Sequence, residues 1–369
     1  LPFPLPEKTS LPSEKSNEPI RRAPILFFEN GTFVKFFQET EISDTRKTTT
    51  RMKVTEYFKA AVGTTLISFE ILPPMKGGSM QAIFDVLDPL MEFKPPFIDV
   101  TYHREEFVYK KQDSGYYEKI SIRKRPGTVG ICAAIMHRYG VDAVPHLICG
   151  GFTKEETENA LIDLNFLNIK NVLALRGDAR KFEDKFVSAP GGHAYALDLV
   201  RQIADMNKGK YLDQNITNGE RTDFCIGIAG YPEKHFEAPN LASDLKYMKA
   251  KVEAGAEYIV TQMFFDNQRY FEFVDKCRDA GIDVPIVPGL KPLTRLYQVN
   301  SIPRHFYVNI PDELASEATA AKDDNAVKQI GIEWCIQQSK ELKAAGMPCL
   351  HYYTMGDTQT IRKIAEAVF

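Results

Sequence analysis

Apolar residues gather along this chain into short runs, and between the runs the pattern shifts to the three-and-four spacing of amphipathic helices. Eight runs read as strands. They cover residues 65–71, 97–102, 143–149, 171–176, 224–231, 258–265, 285–290 and 349–354. Several intervening segments carry helix punctuation. Residues 153–167 open with a capping Thr153 and have Glu156 three positions later. Residues 241–254, 267–280 and 326–345 run into Gly255, Gly281 and Gly346, as helices ending on a left-handed glycine do. Helix, glycine, short loop, apolar strand is the rhythm of a parallel βα sheet. Eight such units predict an α/β fold, a single-domain (β/α)8 TIM barrel with loop insertions at 105–125, 178–193 and 207–223. A doubly wound open sheet is the alternative. It would bind a dinucleotide through a glycine fingerprint, and neither G-x-G-x-x-G nor G-x-x-x-x-G-K-[ST] occurs.

The first fifty residues break the pattern. They are rich in Pro, Ser, Thr and charge, and their short apolar piece at 24–28 has no partner of similar pattern nearby. Residues 1–51 are therefore expected to be a disordered or non-native extension, with the barrel spanning 52–369 and Met52 opening its first helix. The whole chain is 44% hydrophobic and 26% charged, enough for a sizeable core. A net charge of −3, with the two signs interspersed, gives no nucleic-acid footprint, and no basic amphipathic run marks a membrane surface. Cys132, Cys149, Cys225, Cys277, Cys335 and Cys349 lack Cys-x-x-Cys spacing and sit mostly in apolar runs, which predicts reduced, buried thiols. With no secretory pattern and no membrane span, a cytoplasmic location is expected.

In a barrel the C-terminal ends of the strands build the site, and here nearly every one carries polar chemistry. Glu70 ends the first strand. Thr101, Tyr102 and His103 end the second, His146 lies on the third, and Arg176 and Asp178 flank Gly177 at the fourth. Tyr231 and His235 follow the fifth, Gln262 the sixth, and Tyr352, Tyr353 and Thr354 the eighth. Each has a purely structural alternative: Glu70 paired with an arginine, His146 as a core histidine, Arg176 with Asp178 as an ion pair, Gln262 as a loop cap. Together they suit a polar ligand better than a core, because buried polar groups are costly without partners. The zinc patterns H-x-E with C-x-x-C and H-E-x-x-H are absent, so no metal is expected, and no G-x-S-x-G marks a nucleophile elbow. Lys291 could serve a Schiff-base lyase, although an exposed loop lysine is the commoner case. The remaining groups suit protonation of a nitrogen heterocycle beside an organic cofactor.

The motifs SFEILPP (68–74), VTYH (100–103), PHLIC (145–149), ALRGD (174–178), YPEKHFEA (231–238) and TQMFFD (261–266) resemble those of the methylenetetrahydrofolate reductases, in the same order. The resemblance covers the chain from Met52 onward. It implies a barrel that holds FAD without a Rossmann motif. NADH or NADPH reduces the flavin and leaves, and 5,10-methylenetetrahydrofolate then takes its place and receives a hydride. It also implies a homo-oligomer serving one-carbon metabolism and methionine supply. By resemblance, Glu70 is the general acid that opens the folate's five-membered ring, Asp178 stabilises the resulting cation, and Gln262 orients the pterin. FAD binding falls to Thr101, His146, Arg176, Gly177, Asp178, Tyr195, Ala196, Tyr231, His235, Asp244 and Lys251. Gln298 and Tyr353 join Glu70, Asp178 and Gln262 near the folate. Two departures stand out: Ile71-Leu72 replace a double aromatic, and His103 replaces a common glycine ahead of a longer insertion. No regulatory domain follows the eighth strand, so adenosylmethionine inhibition is not expected.

Overall fold

The computed structural model describes residues 51–179, 183 and 185–369, and the backbone of residues 26–29 and 32–35. It contains two compact units, divided after Thr48. Within the first, β1 (Leu26–Glu29) and β2 (Thr32–Lys35) form an antiparallel hairpin, with Phe27 opposite Val34. The apolar piece near residue 26 thus has a local strand partner that the sequence pattern did not reveal. Of the rest of the expected N-terminal extension, Arg51 is described and its guanidinium donates to the Gly140 carbonyl at 3.2 Å and the Val141 carbonyl at 3.1 Å; residues 1–25, 30–31 and 36–50 lie outside the described residues.

The second unit holds the barrel. Its strands are β3 (Leu66–Ile71), β4 (Phe97–Val100), β7 (Asp142–Ile148), β8 (Asn171–Leu175), β9 (Cys225–Gly230), β10 (Tyr258–Thr261), β11 (Ile286–Val287), β12 (Gly289–Leu290) and β13 (Cys349–Tyr353). β5 (Glu106–Lys111) and β6 (Tyr117–Ile122) form a separate, largely exposed hairpin inside the expected 105–125 insertion. The sheet runs β11-β10-β9-β8-β7-β4-β3-β13-β12, and every neighbouring pair is parallel. All eight expected strands are present. The seventh is split at Pro288, which has no N–H to donate to a ladder. Its first half pairs with β10 and its second with β13, so the two ends of the sheet are one segment and the barrel closes. The Pro288 carbonyl accepts from His351 N at 3.1 Å, and Gly289 N donates to Thr261 Oγ1 at 3.0 Å.

Closure buries both faces of each strand. Outward residues such as Ile67, Phe69, Ile98, Leu147, Val172, Ile228 and Ile259 pack in the main core. Inward residues Phe97, Val144, Leu173, Cys225, Tyr258, Val287 and Cys349 fill the bore. The helix Val54–Ala60 plugs the end where the strands begin, adding Val54 and Phe58 to the bore cluster. It is tied there by Val54 N to Asn171 Oδ1 (2.7 Å) and by the Tyr57 hydroxyl to Asp142 Oδ2 (2.6 Å).

The helix punctuation holds. Thr153 and Glu156 form a reciprocal capping box on Lys154–Phe166, and Leu241–Glu253, Asn267–Asp279 and Asp324–Ala344 stop just before their glycines. All six cysteines are buried and free. No helix among the described residues is long and apolar enough to cross a membrane.

Gly227 is where the bore demands the smallest residue. A Cβ there would lie 2.3 Å from Tyr258 Cζ and 2.8 Å from Leu173 Cδ1. Both neighbours are locked in the closed bore, so Gly227→Ala is expected to destabilise the barrel by about 1–3 kcal/mol. A thermal or denaturant midpoint equal to wild type would refute this packing.

Candidate active site

Strand parity decides what the mouth of the barrel receives. Along β3, Ile67, Phe69 and Ile71 face the helices, which turns Ser68 and Glu70 into the bore. Glu70 is the last inward residue of its strand, with its side chain 13% exposed. Its backbone carbonyl accepts from Thr354 Oγ1 at 2.7 Å, joining it to the end of β13. Its Oε2 lies 3.6 Å from His146 Nε2 on β7. The same imidazole nitrogen lies 3.5 Å from Oδ2 of Asp99 on β4.

One imidazole therefore stands between two carboxylates inside a barrel. Burial is the larger influence on Glu70 and raises its pKa to about 7; His146 pulls it back and Asp99 pushes it further up. Burial works against a charged His146, but Asp99 and Glu70 outweigh it and hold its pKa above the ordinary histidine value. Neither oxygen of Asp99 accepts a hydrogen bond, and its side chain is 1% exposed. The three groups do not converge on a common point as metal ligands would; among the described residues no three such side chains do. Asp99 lies just outside the motifs that carry the family resemblance. Its signal was available: an acidic residue in the middle of an otherwise apolar strand, two positions before Thr101.

The remaining candidates divide around the mouth. Those assigned to a cofactor fall on adjacent strands β4, β7, β8 and β9 and on the helices after them. Thr101 follows β4, its hydroxyl 3.5 Å from His103 Nε2. Arg176 does not pair with Asp178. It forms an ion pair with Glu237 and lies over the Phe186 ring at 5.1 Å. Gly177 adopts φ +83° against Ile148, and Asp178 beside it is exposed, without a hydrogen bond or ion pair among the described residues. Tyr231 and His235 meet edge to face at 4.7 Å, and His235 stacks on Phe236. Asp244 is buried and accepts from His235 N at 2.8 Å. Lys251 lies on the same helix as Asp244. Burial depresses its pKa, Asp244 opposes that, and no ion pair holds its amine among the described residues. Tyr195 is exposed and caps the helix that Ala196 begins.

The candidates assigned to the substrate occupy the other side, on β10, β13 and β3 and after β12. Tyr353 lies level with Glu70 across the β13–β3 ladder and donates to the Thr261 carbonyl at 2.5 Å. Gln262 is half-buried, its Oε1 accepting from Met263 N at 2.9 Å. Gln298 is committed to its own loop: its Oε1 accepts from Thr294 N (2.7 Å), Thr294 Oγ1 (3.2 Å) and Arg295 N (3.1 Å). Lys291, expected to be exposed, is partly covered and its pKa is lowered by burial, but the charge it feels is that of Asp357, not Glu70 or Asp178. A cavity of about 430 Å³ opens beside His146, lined also by Tyr102, Arg123, Ile148 and Phe152.

Residues 56–368 match the family model described as methylenetetrahydrofolate reductase. The chain is 35% identical over 316 residues to methylenetetrahydrofolate reductase (NADH) 1 of Arabidopsis thaliana, covering 82% of this chain and 48% of that one. It is 32% identical over 290 residues to the 5,10-methylenetetrahydrofolate reductase of Escherichia coli (strain K12), covering 78% and 86%. It is 30% identical over 307 residues to a probable methylenetetrahydrofolate reductase (NADPH) of Caenorhabditis elegans, covering 82% and 42%. The chain thus spans about half the length of the plant and nematode relatives.

The electrostatics of Glu70 have a consequence for folding. A carboxyl whose pKa rises from 4.5 to about 7 on folding contributes stability at low pH that is lost as pH climbs through that window. Glu70→Gln removes the loss. The variant should match wild type near pH 4.5 and exceed it above pH 7, by on the order of 1–3 kcal/mol. A stability difference that does not change with pH between those limits would refute the burial of this acid.

Proposed function

The chain belongs to the methylenetetrahydrofolate reductase family, and on that premise we propose that it reduces 5,10-methylenetetrahydrofolate to 5-methyltetrahydrofolate. The reductant is NADH or NADPH and the cofactor is FAD, the two substrates using one pocket in turn. The observation that carries this reading is Glu70: a carboxylic acid at the barrel mouth, sealed enough to hold its proton near pH 7. A carboxyl group with an ordinary pKa would be ionised there and could not act as a general acid.

Features of the neighbouring strand ends fit a flavin dinucleotide. Lys251 is a half-buried amine with no ion pair among the described residues, which suits an anionic diphosphate. Gly177, with its positive φ, lets backbone approach a planar group more closely than a side chain would allow. Thr101, His146, Arg176, Tyr195, Ala196, Tyr231, His235 and Asp244 would complete the cradle. FAD, when bound, supplies the hydride carried from nicotinamide to folate.

The chain's own residues then divide the work. Glu70 gives its proton to a nitrogen of the folate's five-membered ring, and that nitrogen's bond to the bridging carbon breaks. The carbon is left in a cationic iminium and accepts the hydride to become a methyl group. Asp178 is exposed now. A planar ligand over it would remove it from water and strengthen its attraction for the cation. Gln262 orients the pterin, with Tyr353 beside Glu70. Six buried thiols suit a reducing, cytoplasmic setting, and the family resemblance extends the proposal to a homo-oligomer serving methionine supply.

The two half-reactions separate these roles. Glu70→Gln should keep bound FAD and its bleaching by nicotinamide while losing folate reduction; an equal loss of both would overturn the acid role. Asp178→Asn should slow the folate step by about 10²-fold or more and leave flavin bleaching less affected, as loss of an electrostatic stabiliser does. An unchanged folate rate would remove Asp178 from the mechanism.

A further inference from the structure

We propose that Asp99 is a positioning residue for the proton of Glu70: its carboxylate compensates the imidazolium of His146, which leaves Glu70 free to hold a proton of its own. The inference rests on the reading of Glu70 as the proton donor. It starts from the geometry, in which His146 Nε2 lies 3.6 Å from Glu70 and 3.5 Å from Asp99. Asp99 is sealed in the bore and accepts no hydrogen bond, and its ion-pair partner among the described residues is that imidazole.

A sealed cluster of this kind favours states of low net charge. With Asp99 ionised and His146 cationic, the pair is neutral and a protonated Glu70 adds nothing. Asp99→Asn deletes the negative charge. Two protons on Glu70 and His146 would then leave a net positive charge in the bore, and one proton must go. The one that remains is shared by Glu70 and His146 as an ion pair or its neutral tautomer, and the acid is no longer dependable near neutrality.

The other groups packed around the cluster do not supply the missing charge. Burial pushes the Tyr258 and Tyr353 phenols and the Cys132 and Cys349 thiols upward, which keeps them neutral. His351 on β13 is drawn down by burial, and its Nδ1 is engaged with Ser68 Oγ at 2.8 Å. His103, after β4, is drawn down by burial and by Arg125, with Asp178 opposing. Glu70, Asp99 and His146 therefore carry the charge of the bore among themselves.

The test uses the FAD-loaded enzyme and its Asp99→Asn variant. The alkaline limb of the folate half-reaction should move down by about one pH unit, a loss of about tenfold near pH 7.5 that is recovered at lower pH. Flavin reduction by nicotinamide should be affected less than the folate step and should not acquire the shifted alkaline limb. A second readout is independent of turnover: ¹⁵N spectra of histidine-labelled protein, with His146 assigned by its loss in His146→Gln. Wild-type His146 should remain an imidazolium above the ordinary histidine range and should lose that form at lower pH in Asp99→Asn. An unmoved pH limb and an unmoved His146 titration in the folded variant would overturn the proposal. If Asp99→Asn does not fold, wild type decides alone: a cationic His146 at pH 7.5 supports the proposal, and a neutral one at pH 6 overturns it. If wild type reduces no folate, the functional reading fails, while the charge of His146 still reports on Asp99.

Discussion

The barrel is closed by one short segment, and the chemistry of its mouth depends on that closure. Pro288 divides the seventh strand into two pairs of residues that bond to opposite ends of the sheet. A regular strand would pair in one continuous register. Here a residue without an N–H allows a small offset, and Gly289 beside it has no side chain to strike the Thr261 carbonyl or the Tyr353 ring. Without this join the sheet would have two open edges, at β10 and at β13. The bore would then admit water towards Glu70, although β13 would stay paired with β3 through the ladder that brings Thr354 to the Glu70 carbonyl.

Exclusion of water converts ordinary residues into an acid–base cluster. A glutamate, an aspartate and a histidine on a wet surface would titrate near their usual values and attract one another weakly. In the bore the cost of burying charge dominates, and it raises Glu70 to about 7 even though a histidine opposes the shift. The helix Val54–Ala60 contributes at a distance: by plugging the far end it makes the mouth the open side of the bore. With Glu70 as the proposed acid, stability and reactivity are in tension at one residue, because the ionised form that burial disfavours is what would remain after a proton is given away.

The division of the mouth follows from sheet order. Strands β4, β7, β8 and β9 are neighbours in space, so the groups suited to an extended anionic cofactor line one side. β10, the split seventh strand, β13 and β3 complete the circle and bring Gln262 and Tyr353 round to Glu70. The proposed reaction, two substrates in turn over one planar cofactor, would use this separation, one side for the cofactor and the other for its successive partners.

Much of this was legible in the chain itself. Apolar runs and capped helices determined eight strands in the right places, because local pattern and propensity act over a few residues and need no partner. Motif order pointed to the family and to Glu70, since an acid at the last inward position of a strand is a local fact. The relation of Glu70 to His146 and Asp99 was not local. It depends on which strands become neighbours and on the stagger that closure imposes. The same limit explains Arg176, whose sequence neighbour Asp178 looked like its partner while Glu237, far along the chain, took that role. Sequence alone settled where the strands run and which polar groups stand at their ends. Only the folded barrel decided which of them share a charge, because Coulomb interaction acts through distance in space and strengthens only where closure has removed the water.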